Sequence, residues 1–317
     1  MIDSRYLYQG LCGLARAHHA SPMAGHLGAA LLAGCFFAEE HPDLDAGVYA
    51  GVARDLDRIV AGEESLWFDP EAAGITVPEM FAPFPPGSPA RESVGSIATA
   101  LSANIDRTRQ SGHNAIFASL AIRALEQHPE HATADIVDGI RRLIEQFDRA
   151  VPGRGYYGSK RGWIEGDAVT LPNDDGLPSY LDEADMARVV IDELIRDVSM
   201  RRQGFGGIFH LINHARALLD LSGAGHGALA SRGLAAHHHH LRLVRSLPDL
   251  ADELGELARA RYDPLTPEHW SQTESVQFSA WLTHRIKTLY AFRGLLRAID
   301  DAGKRRLAED AFLHLMA

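Results

Sequence analysis

Residues 208–221, with the sequence IFHLINHARALLDL, show the pattern that organises most of this chain. Their apolar side chains recur every three or four residues, which is the spacing of one face of an α-helix. No stretch alternates apolar and polar residues for long enough to predict a β-strand. The helical spacing recurs at 27–37, 48–59, 97–105, 116–125, 136–147, 186–198, 250–257, 278–296 and 307–315. The sequence therefore predicts an all-α protein.

Two of these helices belong to a short internal repeat. A Gly-His pair at 25–26 precedes an apolar segment that ends at His41, and another pair at 112–113 precedes a segment that ends at His128. In both copies fifteen residues separate the first histidine from the last, and proline follows the last. A looser third copy runs from 225 to 248. Stacked helical hairpins build solenoids or closed toroids, so we expect a toroid-like arrangement of stacked hairpins.

Two long connections interrupt the helical pattern, at 68–90 and 151–181. Loops longer than ~12–15 residues in a compact domain are usually functional lids or mobile linkers. Neither connection has the Gly/Ser-rich or highly charged composition of a flexible linker, so we predict a single domain over residues 1–317. Both connections are rich in aromatic residues, which favours lids that cover a cavity; these residues are Trp67, Phe68, Phe81, Phe84, Tyr156, Tyr157, Trp163 and Tyr180.

The composition argues against several classes of protein. A net charge of −11 and a pI near 5.8 do not suit a nucleic-acid-binding protein, which needs a basic surface. Cys12 and Cys35 are too few for a disulfide framework, so we expect a reducing, cytoplasmic setting. The most apolar segment, 27–38, has twelve residues, whereas a membrane-spanning helix needs ~20. Residues 1–16 lack the pattern of a signal peptide.

Histidine is unusually frequent, with 17 residues against three lysines. Imidazole is the commonest metal ligand in proteins and carries protons near neutral pH, so the composition suggests a metal site. The strongest local signal is the pair His210 and His214, which are four residues apart and share one helix face. Glycines at 206 and 207 would let the chain approach closely there. The alternative is that one histidine faces a cavity and the other completes a hydrogen-bond network.

A second signal is His284 followed by Lys287 on the same face of an apolar helix. A desolvated lysine has a depressed pKa, so Lys287 could serve as a base. It could also take up carbon dioxide to form a carbamate, whose oxygens ligate metals. The simpler interpretation is that Lys287 extends its ammonium group to the surface.

The remaining histidines fall into two groups. His26 and His113 each follow a glycine at a predicted helix start, where they could line a central cavity or hydrogen-bond the helix terminus. The run 237–240 is four histidines long, and consecutive residues point all round a helix. We therefore expect this run to be a solvated surface feature.

Three parts of the sequence resemble the questin oxidase-like family. The segment 207–214, with Asp220 further along, is similar to that family's glycine, histidine and four-spaced histidine followed by an acid. The segment 283–287, with Ala291 and Arg293 after it, is similar to a late helix of the family. The region from Pro22 through His26 to Leu32 resembles its first histidine-bearing helix. The order of the three parts agrees over most of the chain.

The resemblance implies oxidative cleavage of a polycyclic quinone ring with dioxygen. Combined with the helix pattern, it predicts a non-haem iron centre, although zinc, copper or nickel also suit imidazole ligands. His214 would be a further ligand or a base, and whether NADPH is consumed stays open. The expected ligands are His26, His113, His210 and His284, with Lys287 as a fifth if it is carbamylated.

Two other functions remain open from the sequence. One is a metal-free helical toroid that binds or cyclises an apolar small molecule, for which an apolar cavity without converging histidines would be diagnostic. The other is a helical-repeat interaction protein, which predicts a grooved surface and no closed pocket.

Overall fold

The computed structural model describes residues 2–64, 67–172, 176–272 and 280–317. Over these residues the chain is mostly helical, which confirms the all-α prediction. The helices are α1 (Arg5–Ala20), α2 (Gly25–Glu40), α3 (Ala46–Val60), α4 (Pro70–Ala73), α5 (Val77–Met80), α6 (Gly95–Ser102), α7 (His113–Gln127), α8 (Ala134–Glu145), α9 (Glu183–Asp197), α10 (Gly207–Gly223), α11 (Gly227–Arg245), α12 (Ala251–Leu254), α13 (Pro267–Trp270), α14 (Trp281–Leu295) and α15 (Ala302–Phe312). The helix predicted from 278 is described from Trp281 onward, and residues 278 and 279 lie outside the described residues.

Four helices form a closed ring at the centre of the fold. Helix α2 packs against α7 and α14, and α10 packs against the same two helices from the opposite side. The other helices form an outer layer, in which α1 packs on α2 and α8 while α9 and α11 pack on α10. One large apolar core extends from Tyr6 to Met316. Among the described residues, no helix combines the length and the apolarity that a bilayer span requires.

The first helix was not predicted from the sequence. Its apolar residues are periodic, and Tyr6, Leu11 and Leu14 are buried, but glycines at 10 and 13 weaken the helical signal. These glycines lie where α1 meets α2. A Cβ atom on Gly28 of α2 would lie 2.5 Å from the carbonyl oxygen of Gly10. The two backbones therefore touch, and glycine serves packing here at the expense of helix propensity.

A small sheet also departs from the prediction. Strands β1 (Arg154–Tyr156) and β2 (Trp163–Glu165) pair antiparallel within the second long connection, with Tyr156 opposite Trp163. Three-residue strands are too short for a period-two pattern to be recognised. A bridge from Gly155 to Gly204 attaches the hairpin to the segment that leads into α10.

The second half of the ring contains a buried charged layer, defined here as Glu40, Arg123, Arg216, Asp220 and Tyr290. Arg216 donates to Asp220 at 2.7 Å and also to Glu40, while Arg123 donates to Glu40 at 2.6 Å. The Tyr290 hydroxyl donates to Asp220 at 2.6 Å. Two guanidinium groups thus face two carboxylates, and their charges balance.

Candidate metal centre

Four histidines meet at the other end of the ring and are called the histidine layer. His26, His113, His210 and His284 each lie in the first turn of a different ring helix, namely α2, α7, α10 and α14. Their imidazole rings contact one another, with the His113 and His210 centroids 4.4 Å apart and those of His210 and His284 4.9 Å apart. Since the charged layer joins the second halves of the same helices, the four helices run in one direction. Their N-termini converge on the histidine layer.

Three of these side chains have the geometry of a metal site. His26, His210 and His284 each offer a ring nitrogen, and the three nitrogens lie within 4.8 Å of one another. The Nε2 atoms of His210 and His284 are 2.8 Å apart. A metal bonded to imidazole at about 2.0–2.1 Å holds neighbouring ligand nitrogens about 3 Å apart, so this spacing suits a shared ion. The Nε2 of His113 lies 2.7 Å from that of His26 and could add a fourth donor.

Backbone hydrogen bonds set which nitrogen each ring presents. The Nδ1 of His284 is 2.9 Å from the carbonyl oxygen of Ala280, and the Nδ1 of His113 contacts the carbonyl oxygen of Gln110. A carbonyl oxygen accepts only, so each Nδ1 carries the proton and each Nε2 turns a lone pair inward. Histidines that bind metals usually donate their other ring N–H to a backbone carbonyl or a carboxylate in this way. The Nδ1 of His210 has no partner among the described residues.

Lys287 lies fully inside the protein and touches the histidine layer through His26. Its Nζ contacts His26 Nδ1, which leaves His26 to present Nε2 to the centre. Burial lowers the pKa of Lys287 to about 7, although the charge of Glu64 opposes this shift. The prediction that Lys287 extends to the surface is wrong. An amine of this pKa can hold or release a proton near neutrality.

Burial keeps the imidazoles neutral, which is the form that binds metal ions. It lowers the pKa of His113 to about 3, and it holds the pKa of His26 and His210 well below the ordinary value. The charges of neighbouring histidines and of Lys287 act in the same direction. No carboxylate belongs to the His26, His210 and His284 set.

A cavity of about 320 Å³ opens beside the histidine layer, and both His210 and His284 line it. This volume is within the range of small-molecule sites. Apolar side chains form much of the wall; they include Val198, Ile208, Phe209, Leu211, Val244, Leu257 and Leu315. Trp163 of the hairpin contributes to the mouth and is 45% exposed.

Gly206 allows His210 to reach this position. It precedes α10 with a φ of +67°. Residues other than glycine strongly disfavour this left-handed backbone conformation. A Cβ at this position would lie only 2.3 Å from the His210 ring. Of the two glycines that the sequence singled out before His210, Gly206 therefore has a steric purpose, whereas a Cβ on Gly207 would meet no atom within 4 Å. The first turn of α10 thus places the His210 imidazole directly against the backbone of Gly206.

His214 does not join the histidine layer. It lies one turn further along α10, about 6 Å along the helix axis, and its Nδ1 is 3.5 Å from the Nδ1 of His240. Its ring also faces His237 at 5.0 Å. Spacing of four residues put His210 and His214 on one face, but successive turns of that face meet different neighbours.

The run 237–240 is not a surface feature, which corrects the expectation from sequence. His237 and His240 are fully buried and only the two histidines between them are half-exposed. The Nε2 of His237 donates to the Leu211 carbonyl at 3.0 Å and that of His240 donates to the Phe205 carbonyl at 2.7 Å. Helix α11 lies against α10, so one face of the run is covered.

Sequence reasoning missed Glu64 as a residue of the site and predicted Trp67 only as part of an aromatic cover over a cavity. Trp67 stacks on His26, with ring centroids 4.3 Å apart and planes 18° apart. Glu64 accepts the backbone N–H groups of Leu282 and Thr283 at 2.8 and 2.9 Å and so caps α14 just before His284. The only signal was the tryptophan at the start of an aromatic-rich connection.

No protein-family model, curated protein or solved structure matches this chain.

Proposed function

We propose that the protein is a metal-dependent oxygenase, with non-haem iron as the preferred metal and a flat aromatic or quinone-type molecule as its substrate. The observation that carries the proposal is the His26, His210 and His284 set, whose ring nitrogens lie within 4.8 Å of one another. Two members of this set also line a 320 Å³ cavity. A site for an ion and a site for an organic molecule therefore share the same side chains.

The residues present fit a transition metal. Neutral imidazoles suit iron, zinc, copper and nickel better than they suit magnesium or calcium, which prefer oxygen donors. His26, His210 and His284 would hold the ion, and His113 would be a fourth ligand. When bound, a redox-active metal would supply the activation of dioxygen. The proposal does not specify whether NADPH is consumed as a co-substrate.

The surrounding side chains orient the ligands and exclude water. Ala280 and Gln110 fix the rings of His284 and His113 through their carbonyl groups. Trp67 covers His26 on its stacked face. Lys287 in its neutral form can accept the Nδ1 proton of His26. If Lys287 instead reacts with carbon dioxide and loses a proton, the resulting carbamate would offer oxygen as a fifth ligand.

The cavity wall suits an apolar, flat substrate. Phe209 lies beside His284, with ring centroids 6.0 Å apart, and Trp163 stands at the mouth. Aromatic side chains favour stacked or edge-on contacts with aromatic ligands. Converging histidines distinguish this arrangement from a metal-free ligand-binding toroid, and the cavity distinguishes it from a repeat protein that only binds other proteins.

The test is the metal content of untagged protein purified without nickel resin. We expect about one iron per chain, by analogy with a single-ion site, and its loss in His210→Gln and His284→Gln. His128→Gln is the matched control, since that half-exposed histidine lies at the end of α7. His214→Gln should also retain the metal. Absence of metal after anaerobic reconstitution with iron would contradict the proposal.

Activity is tested by oxygen uptake with simple naphthoquinones and anthraquinones. Uptake that depends on the loaded metal and disappears in His284→Gln supports an oxygenase. Metal binding without any oxygen uptake, across substrates that demonstrably bind, would contradict the oxygenase while leaving the metal centre intact.

A further inference from the structure

A network of charged side chains at one side of the cavity has a net positive charge. Glu193 and Asp197 line the cavity, and three guanidinium groups bind these two carboxylates. Arg196 donates to both of them, Arg245 donates to Glu193 at 2.8 Å, and Arg202 donates to Asp197 at 2.9 Å. This network therefore carries one positive charge more than it carries negative charges. The whole chain, in contrast, has a net charge of −11.

Arg202 is the member of this network placed to meet a ligand. It lines the cavity, and its side chain is 16% exposed. Its Nε is buried and has no acceptor among the described residues. A guanidinium that binds one carboxylate through Nη1 keeps other N–H groups for a second planar anion. Hydrogen bonds between charged partners are also stronger than neutral ones.

Trp163 also lines the cavity, from the β-hairpin that is hydrogen-bonded to the segment directly after Arg202. The register of the hairpin places it against Tyr156, with ring centroids 5.4 Å apart, and the Arg154 guanidinium lies 4.8 Å from its ring. Tyr156 is in turn held by Glu253 at 2.5 Å. These contacts fix the position of the Trp163 indole, and 45% of the residue's surface is exposed.

The ring helices reinforce a preference for negative charge. The N-termini of α2, α7, α10 and α14 converge on the histidine layer. The Glu64 carboxylate already caps α14, whereas α2, α7 and α10 have no side-chain cap from their own N-cap residues. Helix N-termini carry partial positive charge and favour anions. The cavity is bordered by one of these N-termini, at Gly206 and Gly207.

We infer that the cavity binds a flat aromatic molecule that carries an acidic group, with Arg202 recognising the anion and Trp163 stacking on the ring system. The inference rests on the proposed function in that it takes the cavity as the substrate site. It adds a charge requirement and two residues that determine specificity. The ring system would then lie between Trp163 and the His210–His284 end of the cavity.

The test compares two ligands of matched shape, 2-naphthoate and 2-acetylnaphthalene, by calorimetric titration into metal-free protein. We expect naphthoate to bind at least about tenfold more tightly, in line with the gain from a charge-assisted hydrogen bond. The preference should shrink as salt is raised. Equal affinity for the two ligands would overturn the inference.

Substitutions test whether Arg202 produces the preference for 2-naphthoate over 2-acetylnaphthalene. Arg202→Gln should remove the preference for naphthoate and leave the binding of 2-acetylnaphthalene unchanged, while Arg202→Lys should keep part of it. Arg188→Gln is the control, because Arg188 lies on α9 but pairs with Asp185 away from the cavity. A preference that survives in Arg202→Gln protein with an unchanged unfolding temperature would overturn the role of Arg202.

Trp163 is tested by Trp163→Ala and Trp163→Phe. The alanine variant should weaken both ligands to a similar extent, and phenylalanine should restore most of the affinity. Unchanged binding in Trp163→Ala would overturn the stacking role. Failure of both ligands to bind wild-type protein would overturn the inference and the cavity part of the proposed function, whereas the metal measurement would decide the metal centre separately.

Discussion

The two ends of the helical ring differ in how their buried polar side chains are compensated. Both place polar side chains from α2, α7, α10 and α14 in the interior, where burial of unpaired charge is costly. In the charged layer, Arg123 and Arg216 face Glu40 and Asp220, and each group finds an opposite charge. In the histidine layer, neutral imidazoles face one another with no carboxylate in the set.

The difference supports the proposal that the charged layer is structural and that the histidine layer binds a metal. Each charged side chain of the charged layer has an ion-pair partner. Burial raises the pKa of Glu40, but Arg216 and Arg123 together hold it below its ordinary value. The histidine layer has ring nitrogens that converge, and the Nδ1 of His210 has no partner in the part of the chain that the structure describes. Helix direction agrees with this division, since guanidinium groups lie toward the negative C-terminal ends of the helices.

The largest expected effect comes from breaking the charged layer. Arg216→Met should lower the free energy of unfolding by roughly 3–5 kcal/mol, because it leaves two buried carboxylates with less compensation. Chemical denaturation measures this loss. Arg141→Met is the control, since the side chains of Arg141 and Glu145 are 31% and 43% exposed, and should cost less than about 1 kcal/mol. Equal losses in the two variants would contradict a structural role for the layer.

The next effect distinguishes the two layers by metal binding. A metal present at 100 times its dissociation constant should raise the free energy of unfolding by about 2.7 kcal/mol. Zinc can serve as a redox-inert probe in thermal unfolding. The increase should vanish in His210→Gln and persist in Asp220→Asn. A response that Asp220→Asn abolishes and His210→Gln retains would reverse the assignment of the layers.

Acid should also destabilise the protein through His237 and His240, the buried histidines of α11 that lie outside the histidine layer. Burial lowers the pKa of His237 to about 3 and that of His240 to about 4. The unfolded chain therefore binds protons first as pH falls below about 6.5. Stability is fully present above that pH and is lost toward pH 3–4, with a slope of about 1.4 kcal/mol per pH unit for each histidine.

The measurement is the free energy of unfolding between pH 7 and 4. His237→Gln should reduce the slope by about 1.4 kcal/mol per pH unit, the contribution of one proton. Zinc should not alter the contribution of His237, because this residue lies outside the histidine layer. A His237→Gln slope identical to that of the wild type would show that His237 does not carry the effect.

The smallest expected effect concerns the aromatic cover of the histidine layer. Trp67→Leu should cost about 0.5–1.5 kcal/mol of stability, the worth of an aromatic contact beyond its buried area. Zinc affinity should fall at the same time, because the His26 ring loses its stacking partner. Titration followed by tryptophan fluorescence gives both quantities. Trp163→Leu, which removes a tryptophan away from His26, should leave zinc affinity unchanged.

Most of the fold was predictable from local pattern, and the exceptions have local causes. Apolar spacing identified ring helices α2, α7, α10 and α14 because their buried faces repeat at helical period. It missed α1, whose glycines serve contact with α2 and weaken the helical signal. It also missed the hairpin, whose strands have three residues each.

The candidate site was predictable only in part. The sequence placed His26 and His113 at helix starts and named them with His210 and His284 as ligands, and all four meet in the histidine layer. It also grouped His214 with His210, and it assigned the run 237–240 to the surface. Both errors arose because spacing along one helix does not specify which helix covers each turn. Trp67 and Glu64 come from connections that carry no periodic signal.

The sequence by itself determined that the chain is helical and that it is rich in histidine. Tertiary structure decided which of them share a centre. The contacts that define the site join residues far apart in the chain, with Lys287 and His26 separated by 261 positions and His210 and His284 by 74. Such contacts depend on how helices pack, and packing is a property of the whole core, so no local pattern encodes it.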